Sequence, residues 1–288
     1  MNNNAQSLNI NEFFSYITFL LKKRKNGMNE ILRYYELKKI MKRNALTTYF
    51  QPIIELESKK IVGYEALNRP PFSKFFPSTD IFYDYIGSTN QVFLFELFCR
   101  NASLREYASN LKDVPGEKEK LLFINIHPDV LIDSKYRPGE TIQLLQEFDL
   151  KPSQIVFELT ERKAVTDFEM FKKVLFNYRS QGFRLAIDDA GTGYNSLKTL
   201  VHLRPEFIKL DRSLIHNIIH NEAQQKMVDL LLNFSNQSNT SVIAEGIEHL
   251  SDLEYLKQMG IHYGQGYALG KPHPKLFSFQ EGSCKLRF

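Results

Sequence analysis

From about residue 45 onward the chain alternates short apolar runs with longer stretches of helical spacing. The runs read FQPIIEL (50–56), IVGYEAL (61–67), LLFINI (121–126), QIVFEL (154–159), FRLAIDD (183–189), FIKLD (207–211), SVIAE (241–245) and YGQGYAL (263–269). Between them, 92–112, 167–180 and 213–234 carry apolar residues three and four apart, and 252–260 ends on a glycine stop. Near-continuous apolar strands separated by helices predict a parallel sheet covered on both sides. Eight such runs in about 240 residues predict an α/β fold, a (β/α)8 barrel of the TIM type. One joint departs from the pattern. Only ESKK (57–60) separates the first two runs, too short for a crossover, so these strands pair antiparallel as a hairpin.

Polar side chains recur where the apolar runs end: Glu65, Asn125, Glu158, Asp188 with Asp189, Lys209 with Asp211, Glu245 and Gln265. The C-terminal mouth of such a barrel carries its active site, so strands distant in sequence would deliver these groups to one pocket. Carboxylates gathered there repel one another unless cations neutralise them. Hard oxygen donors without strand-end Cys or His favour Mg2+ or Mn2+ over Zn2+. The Asp188–Asp189 pair can touch two ions, the usual device for cutting a phosphoester. Neighbouring strand residues point to opposite faces, so the pair converges only if the strand ends there and the chain turns. Gly191 and Gly193 permit that turn.

Other features point elsewhere or nowhere. His216 and His220 are four apart in a helical stretch and could chelate an ion. They lack the neighbouring Glu of a zinc-protease pattern and are read as helix residues. His127 is read as a loop histidine, and GTG at 191–193 is no P-loop because no Lys-Ser/Thr follows. The run FFSYITFLLKKRK (13–25) is shorter than the ~20 apolar residues a bilayer crossing needs and lacks a basic leading region. Residues 1–40 are therefore read as a helical extension, broken near Gly27, which packs on the domain or a partner. Peripheral membrane contact is the lesser alternative. The Pro- and Phe-rich loop 68–80 is expected over one barrel mouth.

A formal net charge of +4 over 288 residues gives no case for DNA or RNA but suits an anionic substrate. Two distant cysteines, Cys99 and Cys284, exclude a disulfide framework and point to a reducing cytoplasm.

The motifs YFQPII, YEALNRP, FINIHP, FELTER, AIDDAGTGYNSL, FIKLDRSLI, VIAEGIE and GQGYALGKP lie in order between about residues 43 and 275. In this the chain resembles the EAL-domain family, bacterial cyclic di-GMP phosphodiesterases whose fold is a modified (β/α)8 barrel with one antiparallel strand. The resemblance implies an extension over 1–40 and a catalytic barrel over 41–288. It implies Glu65, Asn125, Glu158 and Asp188 as ligands of a first Mg2+ or Mn2+, and Asp188 with Asp189 at a second. Lys209 matches the catalytic lysine, Glu245 the acid that holds the site's water, and Gln265 its partner. Gln51, Leu67, Arg69 and Asp211 match substrate contacts, and Glu161 and Glu248 match supports of the site. The implied reaction opens cyclic di-GMP to linear pGpG. The alternative is a receptor that binds the dinucleotide without cutting it. A homodimer, and a regulatory partner acting through residues 1–40, complete the expectation. Ala190, Pro70 and Phe95 depart from the usual family residues, and none of them replaces an expected ligand.

Overall fold

The computed structural model describes residues 27–87, 89, 92–114, 119–126, 139–160, 168–191 and 196–277. The chain divides into two compact units, one of Met1–Leu46 with Pro70–Tyr85 and one of Thr47–Arg69 with Ile86–Phe288. In the smaller unit residues 27–42 form α1, and the rest of the expected 1–40 extension, with what precedes Gly27, lies outside the described residues. Around α1's unit Phe76 packs edge-on against Phe82 at 5.0 Å, and the Tyr85 hydroxyl donates to Glu30 O at 3.3 Å. The loop after Arg69 thus belongs with α1 in one compact unit. None of the helices among the described residues is long and apolar enough to cross a membrane.

The larger unit is a closed barrel of eight strands: β1 (Thr47–Glu55), β2 (Ile61–Arg69), β3 (Leu121–Asn125), β4 (Ile155–Thr160), β5 (Arg184–Ala190), β6 (Phe207–Leu210), β7 (Ser241–Ala244) and β8 (Tyr263–Gly264). The hairpin forms as expected: β1 is antiparallel to β2 and to β8, and every other neighbouring pair is parallel. The eighth run is mostly not strand, since only two of its residues pair with β7 and β1. The helices α2 (Thr79–Gly87), α3 (Val92–Leu111), α4 (Glu140–Glu147), α5 (Phe168–Ser180) and α6 (Ser196–Leu203) precede β6. After β6 come α7 (Arg212–Ile215), α8 (Glu222–Ser238) and α9 (Leu250–Gln258).

The helical stretch 213–234 is interrupted. Asn217 adopts a left-handed conformation, a single 3-10 turn covers Ile218–His220, and the Asn221 side chain caps α8 by accepting from Ala223 N and Gln224 N. Asparagine pays little for left-handed backbone and is a strong N-cap, so two Asn override the apolar periodicity. His216 follows α7 as its C-cap and His220 lies in the turn, so the two do not share the continuous helix read for them.

Strand parity organises the core. Leu122 and Ile124, Ile155 and Phe157, Leu185 and Ile187, Ile208 and Leu210, and Val242 and Ala244 belong to the large outer core with the helices. The alternate residues Ile53, Phe123, Val156, Ala186, Phe207 and Ile243 form a second, separate cluster, the barrel's interior floor. Two residues further toward the mouth the interior positions become Gln51, Asn125, Glu158, Asp188, Lys209 and Glu245. Floor and charged layer thus follow from one two-residue step.

The floor is tight at Gly63, where a Cβ would lie 2.6 Å from the Leu121 carbonyl oxygen of β3. Only hydrogen fits without moving the β2–β3 ladder. Gly63→Ala is therefore expected to destabilise the protein by ~1–3 kcal/mol, read as a lower urea midpoint with an unchanged slope.

Candidate active site

At the mouth Lys209 is the centre. Its side chain is 1% exposed, and its Nζ lies 2.6 Å from Glu158 Oε1, 2.7 Å from Glu245 Oε1, 3.3 Å from Glu65 Oε2 and 3.6 Å from Asp188 Oδ1. Each partner stands on or just after a different strand, so barrel closure assembles the cluster. One ammonium faces four carboxylates, an imbalance that low-dielectric walls make costly.

The proton affinities reflect that imbalance. Burial works to lower the Lys209 pKa, but Asp188, Glu158, Glu245 and Glu65 outweigh it and hold the ammonium well above its usual value. Burial drives Glu158 well above the normal carboxylate range, and Glu65 and Asp188 add to this against the pull of Lys209. Burial likewise pushes Glu245 up to about 8. For Glu65 burial is outweighed by Lys209 and by hydrogen bonds from Gln265 and Asn125, leaving its pKa lowered. Gln265 Nε2 donates to Glu65 Oε2 at 2.6 Å and to Gln51 Oε1 at 3.2 Å, and Asn125 Nδ2 donates to Glu65 Oε1 at 3.3 Å.

The Asp188–Asp189 question resolves differently from expectation. The strand does not end before the turn: β5 runs on to Ala190, and its register to β6 shifts between Ile187 and Ala190. Asp189 itself takes a left-handed backbone, φ 57°, and its amide donates to Asp188 Oδ1 at 3.0 Å. This irregularity undoes the alternation that would turn the second acid outward. One oxygen each of Asp188, Asp189 and Glu245 then lies within 4.8 Å of the others. Gly191 also has positive φ, while Gly193 lies outside the described residues.

These donors fit hard divalent cations. They are all oxygens, they outnumber the ammonium, and Glu158 Oε2 is buried without a hydrogen-bond partner among the described residues. A cavity of about 430 Å³ opens above them, lined by Glu65, Asp188, Lys209, Glu245 and Gln265 with Gln51, Leu67 and Asp211. Asp211 also caps α7, accepting from Ser213 N at 2.9 Å. Asn125 and Glu158 reach the cluster from behind, through Glu65 and Lys209. Arg69, expected to contact substrate, closes β2 opposite Thr47 and is not among the lining residues. Glu161 and His127 lie outside the described residues.

Four lining residues were not anticipated from the sequence: Arg212, Gly246, Gly266 and Tyr267. Arg212 Nη2 donates to Glu248 Oε2 at 2.8 Å, and its stem packs against Gly246, where a Cβ would lie 2.6 Å from Arg212 Cβ. Tyr267 stands 59% exposed at the rim, with Lys271 Nζ 5.3 Å from its ring centre. The only available signal was adjacency: Arg212 follows Asp211, and Tyr267 follows Gln265 by two.

A barrel mouth that gathers oxygen donors suited to a divalent cation is an arrangement shared by many metal-using enzymes. Comparison with known proteins narrows the class. The EAL domain profile matches residues 35–272, and the chain belongs to that family. It is 28% identical over 243 residues to the probable cyclic di-GMP phosphodiesterase PdeB of Escherichia coli (strain K12), matching 84% of this chain and 45% of that protein. It spans less than half the length of the first curated relatives it matches. A standalone EAL protein of Vibrio cholerae O395, solved with c-di-GMP bound, superposes with a TM-score of 0.68 at 30% identity, over 81% of this chain and 94% of that one. BlrP1 of Klebsiella pneumoniae, solved as a manganese/c-di-GMP complex, gives a TM-score of 0.71 at 28% identity, over 81% of this chain and 57% of that one.

The raised Glu245 sets a pH dependence. Its pKa of about 8 in the metal-free folded protein exceeds the 4.5 of an unperturbed glutamate. Between those values the folded state binds more protons than the unfolded, so metal-free stability falls as pH rises. A cation displaces that proton, so the gain in Tm from excess Mg2+ is expected to grow from about pH 5 to about pH 8. Thermal melts at stepped pH with and without Mg2+ measure it, and a gain that does not vary with pH would contradict the arrangement.

Proposed function

We propose that the chain is a metal-dependent phosphodiesterase that opens cyclic di-GMP to linear pGpG. The observation that carries this reading is the excess of buried carboxylates around Lys209 beneath an open cavity. In this reading Glu65, Asn125, Glu158, Asp188 and Asp189 hold two ions, Mg2+ or Mn2+. When bound, such ions lower the pKa of a water and polarise a phosphoryl oxygen. The manganese and c-di-GMP of the BlrP1 complex support the choice of cation and substrate.

The protein's own groups then divide the remaining work. Water forms a new P–O bond while the bond to one ring 3′-oxygen breaks, and that oxygen takes up a proton. Lys209, held charged by its neighbours, is assigned to stabilising the charge on the phosphoryl oxygens rather than to removing a proton. Glu245 and Gln265, both lining the cavity, orient the water. Gln51, Leu67 and Asp211 border the dinucleotide. Arg212 offers a planar fork to a phosphate or a guanine edge, and Tyr267 an exposed ring for a base to stack on. Arg69 and Glu161 keep their family-derived roles as substrate contact and support within this proposal, and Glu248 acts through Arg212.

The reading extends to assembly. Phe176 on α5 and Val201 on α6 are 74% and 55% exposed on the helices flanking β5, which supports a homodimer at that face. Met28, Ile31, Leu32 and Tyr35 make an exposed stripe at helical spacing on α1, which supports a partner docking through the N-terminal segment. The reading assigns the chain to a reducing cytoplasm, in keeping with two cysteines far apart in the sequence.

The test is chromatographic detection of pGpG from cyclic di-GMP with the purified chain, stripped of metal and then supplied with Mg2+ or Mn2+. Turnover is expected only with metal. It should fall ~100-fold or more in Asp188→Asn and Lys209→Met while the dinucleotide still binds the latter. Tight binding with no product at saturating Mn2+ would make the chain a receptor instead.

A further inference from the structure

Beside the cavity a second group of side chains brings together atoms able to ligate a metal, and it differs in chemistry from the acid cluster. His216 ends α7, and Glu248 and His249 immediately precede α9. One ligand atom from each lies within 4.8 Å of the other two. The imidazole rings stand 5.5 Å apart at 41°, and no hydrogen bond among the described residues joins the three side chains to one another.

Two surface histidines in contact need no function to explain them, but three further observations go beyond that. His216 Nδ1 is buried and has no hydrogen-bond partner among the described residues, which is costly for a ring nitrogen unless something fills its lone pair. The backbone beside His216 is fastened: Asn217 N donates to Asp252 Oδ2 at 3.1 Å, and Gln224 Nε2 donates to Ser213 O at 2.6 Å. His249 occupies an N-cap position yet makes no capping bond, so its ring is free of the task that position usually carries. Arg212 engages Glu248 through Oε2, leaving the other carboxylate oxygen for a ligand.

We propose that His216, Glu248 and His249 bind a transition-metal dication of the zinc type, at a site separate from the oxygen cluster around Lys209. Two imidazoles and one carboxylate, with a fourth position open to water, are a recurrent zinc donor set, whereas Mg2+ prefers oxygens. Occupancy couples to the substrate cavity because Glu248 also holds Arg212, a lining residue. The ion is thus placed to adjust how Arg212 meets an anionic ligand without joining the chemistry at Lys209.

The experiment uses the full chain, stripped of metal, held in excess Mg2+ and titrated with Zn2+ in a calorimeter. Co2+ is followed in parallel by its visible absorption. One saturable Zn2+ event is expected, weakened ~10-fold or more by His249→Ala and by His216→Ala, since even outer-shell changes cost that much. It should persist in Asp188→Asn, which alters the oxygen cluster. His249 is exposed, so its variant should fold like wild type, with an unchanged melt in the absence of zinc. Equal affinity in wild type and both histidine variants, loss of the event in Asp188→Asn, or no saturable event would each overturn the proposal. None of these readouts depends on hydrolysis of the dinucleotide.

Discussion

One buried ammonium among four carboxylates is the constraint around which the mouth of the barrel is built. Lys209 can keep its charge at 1% exposure only because Glu158, Glu245, Glu65 and Asp188 surround it. Those four cannot all ionise against a single cation in a medium of low polarity. The metal-free site therefore favours proton uptake, with the proton affinities of Glu158 and Glu245 both raised. A divalent ion bound among these carboxylates would work against that proton uptake, which would tie folding, acidity and cation binding together. The apolar floor two residues below denies the charges any water from that side.

That layering explains why so much could be read from the chain. Within each strand a period of two carries an interior apolar residue to an interior polar one: Phe123 to Asn125, Val156 to Glu158, Ala186 to Asp188, Phe207 to Lys209, Ile243 to Glu245. A polar residue closing an apolar run is thus the visible trace of barrel parity. The short link after Glu55 likewise left no choice but a hairpin. What could not be read depended on local backbone geometry or on contacts between loops. Apolar spacing across 213–234 looks continuous, yet Asn217 and Asn221 break it through conformations that periodicity does not encode. Asp189 joins Asp188 through its own left-handed backbone rather than through the glycines that follow. Arg212 opens the short helix α7 and Tyr267 lies in the turn after β8, places set by tertiary packing. Arg69, by contrast, sits beside a signature motif without lining the cavity.

The rim divides by chemistry as well as by position. Oxygen donors rise from the strands themselves and are fixed by the ladder. The histidines and Glu248 stand on the connections after β6 and β7, where Gly246 lets Arg212 pass close to the backbone. Strand-borne groups are held to within the tolerance of hydrogen-bonded sheet, while loop-borne groups can shift without cost to the core. Under the proposed function, an arrangement of this kind would let recognition be adjusted while the oxygen cluster stays rigid.

The closure between β1 and β8 has a consequence for access. The backbone ladder there is short, pairing Ile54 with Gly264 and Glu55 with Tyr263 and continuing only as the Leu56 N to His262 O bond of 3.0 Å. Higher up, the join is completed by the Gln265–Gln51 side-chain bond and by the exchange of backbone bonds between Phe50 and His273. Every other joint but β7–β8 has a longer ladder, so the cylinder has a zipper with few teeth along this line. Gln265 is at once a tooth of that zipper and a neighbour of Glu65, so any widening of the barrel along it reaches the charged centre first.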